Sequence, residues 1–328
     1  MELLMNQLTC ASFFAGVGGI DLGFERAGFS TIYANEIDIK ATHTYENNFN
    51  IKVDCRDICD VKVDELPNFN IMLAGFPCQA FSVAGYRKGF EDDKGRGILF
   101  FELARIFKEK KPDVIFLENV KNLVGHDKGK TFRIILEALE YEGYHVRKEV
   151  LNSMEYGNIP QNRERIYIVA FRNIDTYKEF EFPKPIELNT KLKDFIDYEY
   201  KFDNRYYYTS SSFPHYKTIK KAILNRDTVY QWRRVYVREN KSNVCPTLTA
   251  NMGTGGHNVP LVLTKNGIRK LTPQECFKIQ GFPEDYTLPE DLVNTHLYKQ
   301  AGNSVSVTVI ERIARNIREA IEKTKKSS

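Results

Sequence analysis

The sequence predicts an α/β fold in which a doubly wound, mostly parallel sheet is joined to a smaller, irregular region. Three observations support this prediction. Strand-type apolar runs alternate with helix-type segments as far as Phe171. A glycine-rich turn follows the first predicted strand. Beyond Pro183 and Pro185 the regular patterning stops, and it returns only near Leu271.

Each element of the sheet region follows from its hydrophobic period and its bounding residues. The predicted strands are 8–14, 31–34, 52–54, 70–74, 113–117 and 165–171. The predicted helices are 20–27, 38–47, 97–110, 131–141 and 305–323. Thr272, Pro273 and Glu275 predict one further helix start, with Thr272 as the cap and Glu275 as its capping-box partner.

Size and composition exclude several classes of protein. The chain of 328 residues, 42% of them hydrophobic, is long enough for one large domain or two modest ones. No basic residue precedes Arg26 and no apolar run approaches about 18 residues, so we expect neither a secretory signal nor a membrane span. Six cysteines without a Cys-x-x-Cys pair predict neither a zinc site nor a disulfide framework. We therefore expect a cytoplasmic protein with no metal.

A glycine turn and two acids suggest a nucleotide pocket. The turn Gly16-Val17-Gly18-Gly19 lies between a predicted strand and helix, where glycines let the backbone approach a ligand. The dinucleotide fingerprint requires another glycine where Asp21 stands, which disfavours NAD. Glu36 and Asp57 follow the next two predicted strands, where they could accept ribose hydroxyls and an adenine amino group. Each acid alone also fits a solvated surface carboxylate.

Cys78 and Glu118 are the candidate reactive groups. Cys78 comes shortly after the predicted strand 70–74, and the preceding Pro77 stiffens the turn. A stiff turn aims a side chain, as a nucleophile requires. Glu118 ends the neighbouring predicted strand, so the thiol and the acid could share one substrate. The residues alone leave two alternatives open, a buried apolar cysteine and a carboxylate that caps the next turn.

Basic side chains are concentrated in two places. Arg163 and Arg165 stand at alternate positions before a strand, so they point to the same side of an extended chain. The segment 201–241 holds ten Lys and Arg against three Asp and Glu, with nine aromatic residues among them. Such a segment favours contact with DNA phosphates, and a solvated basic face is the structural alternative.

Six ordered motifs resemble those of the DNA (cytosine-5) methyltransferases, in particular the small prokaryotic restriction-modification type. Together they cover the chain except for 187–241, and their order makes the resemblance specific. The motifs are Phe13 with Gly16, Gly18 and Gly19; Pro77-Cys78-Gln79; Glu118-Asn119-Val120; Gln161 with Arg163 and Arg165; Arg269 with Leu271, Thr272, Pro273 and Glu275; and Gly302-Asn303-Ser304-Val305.

The resemblance implies methyl transfer from S-adenosylmethionine to carbon 5 of a flipped-out cytosine in a specific short duplex DNA sequence, with S-adenosylhomocysteine as the product. Cys78 would add to carbon 6 of the ring as a thiolate. Glu118 would hold or protonate ring nitrogen 3, and Arg165 would bind the exocyclic oxygen. Arg163 would support the thiol and its loop. These four are the implied catalytic residues.

The resemblance also implies two binding surfaces. The cofactor would contact Phe13, Gly16, Gly18, Gly19, Glu36, Asp57, Ile58, Pro77, Leu99, Asn303 and Ser304. DNA would contact Gln79, Ser82, Arg87, Lys88, Arg226, Arg233, Arg234, Arg238, Thr247, Gly255 and Gly256. The chain departs from its nearest relatives at Ile37, where they often carry Trp, and at Cys55-Arg56, where they usually carry a glycine before Asp57.

The predicted domain organisation follows the same resemblance. Residues 1–185 and 295–328 would form the Rossmann-like methyltransferase domain, and 186–294 a smaller target-recognition domain with a hinge. The implied partners are double-stranded DNA and, without direct contact, a restriction endonuclease with the same site; we expect a monomer. The alternatives are a tRNA cytosine-5 methyltransferase of the same fold, which the basic insert disfavours, a non-catalytic DNA-binding protein, and an NAD oxidoreductase. Cys78, Glu118 and Arg165 disfavour the last two.

Overall fold

The computed structural model describes residues 7–77, 98–254 and 259–327. The strands, in chain order β1 to β12, are Thr9–Phe13, Ser30–Asn35, Ile71–Ala74, Val114–Val120, His145–Asn152, Gln161–Asn162, Glu164–Phe171, Tyr230–Trp232, Val237–Glu239, Cys245–Pro246, Leu261–Thr264 and Gly267–Lys270. The helices, α1 to α10, are Gly19–Arg26, Ile39–Glu46, Ile98–Lys110, Lys130–Tyr141, Ser153–Tyr156, Ile174–Glu179, Tyr216–Ala222, Pro273–Ile279, Asn294–Asn303 and Val307–Ser327. None of the described helices is long and apolar enough to cross a membrane.

The chain forms two compact units. The first unit comprises Met1–Leu151, Glu164–Lys184 and Ile310–Ser328, and the second comprises Asn152–Arg163 and Pro185–Val309. Segments 152–163 and 295–309, which the sequence analysis placed with the catalytic domain, therefore belong to the second unit by their contacts. The assignment of catalysis and target recognition to separate domains stays a prediction.

The first unit contains a six-stranded sheet in the order β2-β1-β3-β4-β7-β5. β1 pairs in parallel with β2 and β3, and β3 pairs in parallel with β4. β7 runs antiparallel to β4, so the sheet is mixed rather than uniformly parallel. The predicted doubly wound α/β fold is confirmed. It places the ends of β1 to β4 at one edge of the sheet, where such folds bind ligands.

Burial explains why the central strands form where they do. All four residues of β3 are fully buried, as are Val114–Leu117 in the first part of β4. Strands buried on both faces read as continuous apolar runs, which is the pattern that predicted both. Leu103, Ile106 and Phe107 recur at helical spacing on α3 and are completely buried against this sheet.

The predicted strand 52–54 is wrong, because only one parallel bridge, Asn35 to Asp54, is present there. The buried Asn35 side chain donates to the main-chain carbonyls of Asp54 and Arg56, each at 2.9 Å. The main chain adds two bonds, from the Glu36 N–H to the Asp54 carbonyl and from the Asp54 N–H to the Ala34 carbonyl. The segment that leads to Asp57 is consequently held to the end of β2 by a single bridge and by the Asn35 side chain.

The second unit has its own core and a four-stranded sheet in the order β12-β11-β8-β9. The predicted capping box is confirmed at the start of α8, where Thr272 and Glu275 cap each other. The Glu275 carboxylate also takes two hydrogen bonds, of 2.7 and 2.6 Å, from the fully buried Arg269 guanidinium. A buried charge requires such a bidentate partner, so these two residues of one sequence motif stabilise each other.

Candidate functional site

The glycine turn joins β1 to α1 as predicted. Gly16 and Gly18 have φ angles of +57° and +75°, in the left-handed region that favours glycine. A Cβ atom at Gly18 would lie 2.3 Å from the Phe49 ring, whereas one at Gly16 would meet nothing within 4 Å. The turn is thus packed on the Gly18 side and open on the Gly16 side, where a ligand has room to contact the backbone.

Glu36 lies beside that open side, directly after β2. Its Oε2 accepts the Gly16 N–H at 2.8 Å and its Oε1 accepts the Asp38 N–H at 2.8 Å. These two bonds orient the carboxylate at the open side of the turn. This geometry suits the predicted ribose contact. Ile37, next in the chain, keeps 58% of its surface exposed.

The other predicted cofactor residues of the first unit differ in their exposure. Asp57 is half-buried and accepts the Cys59 N–H at 2.9 Å, which caps a short 3-10 helix. Ile58 is buried, Leu99 is half-buried on α3, and Pro77 is exposed. Asp57 and Leu99 therefore keep exposed surface that a ligand can contact, while the buried Ile58 can contribute only apolar packing.

Phe13 cannot contact a ligand in this structure because it has no exposed surface. Its ring packs in the core, 5.7 Å from the ring of Tyr33 and 6.3 Å from that of Phe69. The next residue, Phe14, is half-buried and has a φ of +54°, which is uncommon outside glycine. Phe14 therefore keeps exposed surface that a ligand can contact, and the sequence analysis did not select it.

A buried carboxylate braces the turn from beneath. Asp21 accepts hydrogen bonds from the hydroxyls of Ser12 (2.9 Å) and Tyr45 (3.0 Å). Burial raises the pKa of Asp21 to about 6, against the effect of these hydrogen bonds. Burial and the nearby Asp21 raise the pKa of Glu25 to about 7. Asp21, which stands where a dinucleotide motif has its third glycine, therefore stabilises this turn through its hydrogen bonds.

These raised pKa values predict a pH-dependent stability. A carboxyl group whose pKa is higher in the folded than in the unfolded state makes its full contribution to the free energy of unfolding below the unfolded-state pKa. For Asp21 this contribution is lost as the pH rises through about 6, the pKa in the folded state. For Asp21 the loss is on the order of 3 kcal/mol. We expect Asp21→Asn to flatten the decline in the free energy of unfolding between pH 4 and 8, as measured by urea titration. An exposed control, Glu137→Gln, should keep the wild-type decline, and an equal decline in Asp21→Asn would contradict the account.

The candidate reactive edge lies where β3 and β4 end side by side. Their parallel register pairs Ala74 with Leu117, which brings Gly75 next to Glu118. A Cβ atom on Gly75 would lie 3.7 Å from Glu118 Oε2. Glu118 therefore lies beside the end of the strand that leads to Cys78, as predicted. The structure describes this part of the chain as far as Pro77. Cys78, Gln79, Ser82, Arg87 and Lys88 lie outside the residues that the structure describes.

Glu118 and Arg165 form an ion pair at this edge. Arg165 Nε lies 3.1 Å from Glu118 Oε1, and their side chains are only 13% and 10% exposed. Arg165 is on β7, opposite Val120 of β4, so two antiparallel strands bring the charges together. The Coulomb attraction in a pair this poorly solvated is screened less by water than that in a surface ion pair. The structure thus unites two residues that the sequence analysis selected from segments 47 positions apart.

Asn119 contributes to the site in a way that the sequence analysis did not assign. Its buried side-chain amide donates to the main-chain carbonyl of Phe76 at 2.7 Å, and its Oδ1 accepts the Val120 N–H at 2.8 Å. These bonds tie the residue after Glu118 to the turn that precedes Cys78. The signal in the sequence was the asparagine itself, since a buried amide requires partners.

Arg163 has different partners from Arg165. It is 1% exposed, and its guanidinium donates to the main-chain carbonyls of Leu248 (2.8 Å), Gly302 (3.2 Å) and Ser304. The described contacts make Arg163 a link between the loop at Leu248 and the C-terminal end of α9, both in the second unit. Its predicted support of the Cys78 loop stays a prediction.

Gln161 of β6 also contacts the segment around Leu248. Gln161 accepts the Leu248 N–H at 3.1 Å, and its amide donates to the Ile279 carbonyl at 3.0 Å. Ser304, a predicted cofactor residue, is buried, whereas its neighbour Asn303 is exposed at the end of α9. Of the motif Gly302-Asn303-Ser304, only Asn303 is exposed, so it is the residue that can contact a ligand.

Gly302 is required where the end of α9 passes close to the main chain of Thr249 and Ala250. A Cβ atom there would lie 2.1 Å from the carbonyl group of Thr249 and 2.5 Å from the Ala250 nitrogen, and backbone cannot rotate away as a side chain can. We expect Gly302→Ala to lower the free energy of unfolding by about 1–3 kcal/mol. At Gly125 a Cβ atom meets nothing within 4 Å, so the control Gly125→Ala should change it by less than about 0.5 kcal/mol. Equal urea midpoints for both variants would disprove the crossing.

The predicted DNA-contacting arginines of the second unit are all exposed. Arg233 and Arg238 line a groove of about 430 Å³, and Arg226 and Arg234 are not among its lining residues. Thr247 also lines it, but its hydroxyl donates to the Asn162 carbonyl at 2.6 Å, so it anchors its loop to β6. The remaining predicted DNA contacts, Gly255 and Gly256, lie outside the described residues.

The mixed sheet, the open glycine turn and the buried acid–arginine pair define an enzyme of the doubly wound α/β class, with a second unit that presents a basic groove. Comparison with known proteins narrows this class. The chain belongs to the C-5 cytosine-specific DNA methylases, because the model of that family matches residues 8–319. It is a DNA (cytosine-5) methyltransferase of the restriction-modification type.

Individual relatives agree with this assignment. The chain is 63% identical over 311 residues to the type II methyltransferase M.Bsp6I of Bacillus sp. (strain RFL6), which covers 94% of this chain and 98% of the relative. It is 40% identical over 333 residues to M.HhaI of Haemophilus parahaemolyticus, with 97% of each chain covered. The structure of S. pombe Dnmt2 methyltransferase matches 96% of this chain and 99% of its own with a TM-score of 0.73; at 18% identity it supports the fold alone.

Proposed function

We propose that the enzyme methylates carbon 5 of a flipped-out cytosine within a specific short sequence of duplex DNA, through a covalent adduct with Cys78. The observation that carries this proposal is the buried Glu118–Arg165 pair beside the strand that leads to Cys78. It supplies an acid and a cation at one sheet edge, which are the two groups that activation of a cytosine ring requires.

Carbon 5 of cytosine is a poor nucleophile, and the proposed residues overcome this. The Cys78 thiolate forms a bond to carbon 6 while Glu118 gives or shares a proton at nitrogen 3, which leaves an electron-rich carbon 5. Carbon 5 then takes the methyl group. Water takes up the carbon 5 proton, the ring double bond re-forms as the carbon 6–sulfur bond breaks and releases the Cys78 thiolate, and nitrogen 3 returns its proton to Glu118. Arg165 would stabilise the charge on the exocyclic oxygen, as guanidinium groups do well.

S-adenosylmethionine would supply an electrophilic methyl group, leaving S-adenosylhomocysteine. The residues of the first unit fit such a cofactor, because a Cβ atom at Gly16 would meet no described atom within 4 Å and the Glu36 carboxylate is held beside that backbone. Glu36 would hold the ribose hydroxyls and Asp57 the adenine amino group. Phe14 and the exposed Ile37 would pack against the apolar faces of the bound cofactor.

Duplex DNA is the proposed substrate, and the second unit would recognise it. A cytosine inside the helix is unreachable, so it must rotate out of the stack, at a cost of a few kcal/mol. The exposed arginines on and around the β8–β9 hairpin would offset that cost by contacting phosphates and bases. Such an enzyme would protect its own sequence from a restriction endonuclease without contacting that partner.

The test is transfer of a tritiated methyl group from S-adenosylmethionine to unmethylated duplex DNA and, in parallel, to tRNA. We expect acid-stable tritium in 5-methylcytosine of the duplex only. Incorporation into tRNA alone would establish the alternative RNA substrate. Incorporation into neither, from duplexes that contain every short sequence, would support a binding protein without activity.

A further inference from the structure

The groove of the second unit is formed on one face of the β8–β9 hairpin. Tyr230 and Trp232 of β8 are buried in the core of this unit, so Gln231 between them faces the opposite way. The antiparallel register places Arg238 of β9 directly across from Gln231. Arg233, two residues beyond Gln231, also lines the groove, so three long polar side chains share one surface.

Hydrogen bonding distinguishes these three residues from the surface around them. Arg233 Nη2 donates to Gln231 Oε1 at 3.1 Å, which orients its guanidinium. In the part of the chain that the structure describes, neither Arg233 nor Arg238 has a carboxylate partner. The described groove lining contains no Asp or Glu, and it also includes Thr249 and Asn251. The groove therefore offers donors and amides but no competing negative charge.

This chemistry matches the edge of a base rather than a phosphate alone. A guanidinium donates two parallel hydrogen bonds to O6 and N7 of guanine, which is the commonest specific protein–DNA contact. Arg226 and Arg234, which are equally exposed but do not line the groove, have the placement expected for sequence-independent phosphate contacts.

We propose that Arg238 and Arg233 read guanine in the recognition sequence, that Gln231 positions Arg233, and that Arg226 and Arg234 bind phosphates only. This inference rests on the proposed function, because it assigns base readout within the same DNA-binding surface.

The test uses a duplex library with randomised bases, methylated by the full-length enzyme and sequenced after bisulfite conversion. We expect the wild-type recognition sequence to contain guanine, and Arg238→Ala to lose about 10- to 100-fold of the preference for guanine at one position. Arg238→Gln should move that preference towards adenine, the base that glutamine pairs with bidentately. Arg226→Ala is the matched control: it should lower methylation equally for all sequences and reduce the slope of log affinity against log salt by about one.

The positioning role of Gln231 has its own signature. Gln231→Leu removes the acceptor for Arg233 and should weaken one guanine preference while leaving the Arg238-dependent one intact. Gln231→Glu keeps an acceptor for Arg233 and should retain the guanine preference that Gln231→Leu weakens. For any variant too slow to methylate, the same library is sorted by binding on gels, which gives the preference directly.

The outcomes separate the two proposals. If the wild type protects no cytosine from bisulfite conversion, the proposed function fails. If the wild type methylates a defined sequence and both Arg238 variants keep every guanine preference, the function stands and the assignment of the groove is overturned. Loss of a guanine preference in Arg226→Ala would likewise overturn the division between base-reading and phosphate-binding arginines.

Discussion

Cys78→Ser should reduce methyl transfer by at least about 10³-fold while the protein remains folded and still binds DNA. A serine hydroxyl at neutral pH is a far weaker nucleophile than a thiolate, and no neighbouring base has been assigned to activate it. The rate is measured as tritium incorporated into a duplex substrate under single-turnover conditions. Circular dichroism and urea unfolding verify the fold.

A matched thiol serves as the control for this variant. Cys55 is an exposed free cysteine in the first unit, so Cys55→Ser changes the same atom outside the reactive edge. We expect it to retain the wild-type rate. A Cys78→Ser enzyme that methylates as fast as Cys55→Ser would remove the covalent adduct from the mechanism.

Glu118→Gln should slow methyl transfer by about 10²–10⁴-fold, the usual contribution of a positioned general acid. The amide has nearly the same shape, but it cannot give a proton to ring nitrogen 3, and it leaves the Arg165 guanidinium without its anionic partner at 3.1 Å. Because neither residue lines the groove of the second unit, the dissociation constant for DNA should change much less than the rate.

Glu164→Gln provides the comparison. Glu164 is on the same strand as Arg165 but pairs with Lys121 at the surface, where their side chains are 43% and 52% exposed. Such a pair contributes about 0–1 kcal/mol, so the rate should stay near that of the wild type. Equal rates for Glu118→Gln and the wild type would exclude Glu118 from the chemistry.

The sequence was most informative where local pattern dictates structure. The apolar runs of β3 and β4, the glycine turn and the capping box at Thr272 each depend on residues within one short segment, and each was predicted correctly. Glu118 could be selected because neighbouring strands of such a sheet end at one edge. Its pairing with Arg165 was not predictable, because it depends on β7 running antiparallel to β4.

The sequence was least informative where distant side chains decide the outcome. Arg163 and Arg165 are residues of the same type two positions apart. Arg163 nonetheless donates to the main chain at Leu248 and Gly302, whereas Arg165 pairs with Glu118. Phe13 and Phe14 are adjacent residues of one type, and only the folded chain shows that Phe13 is fully buried and Phe14 half-buried. The short strands β8 and β9 carry too few residues to show a period, so the groove that separates Arg238 from Arg226 emerged only from the folded chain.

The most direct test of the central claim is covalent trapping on duplexes that contain 5-fluorocytosine at the methylated position. Fluorine at carbon 5 blocks the final elimination, so the enzyme should remain attached to its DNA in a complex that resists denaturation. The account predicts that this complex forms only with S-adenosylmethionine present and with Cys78 intact. An enzyme that methylates the matching cytosine duplex but never becomes trapped on the fluorinated one would contradict the proposed adduct.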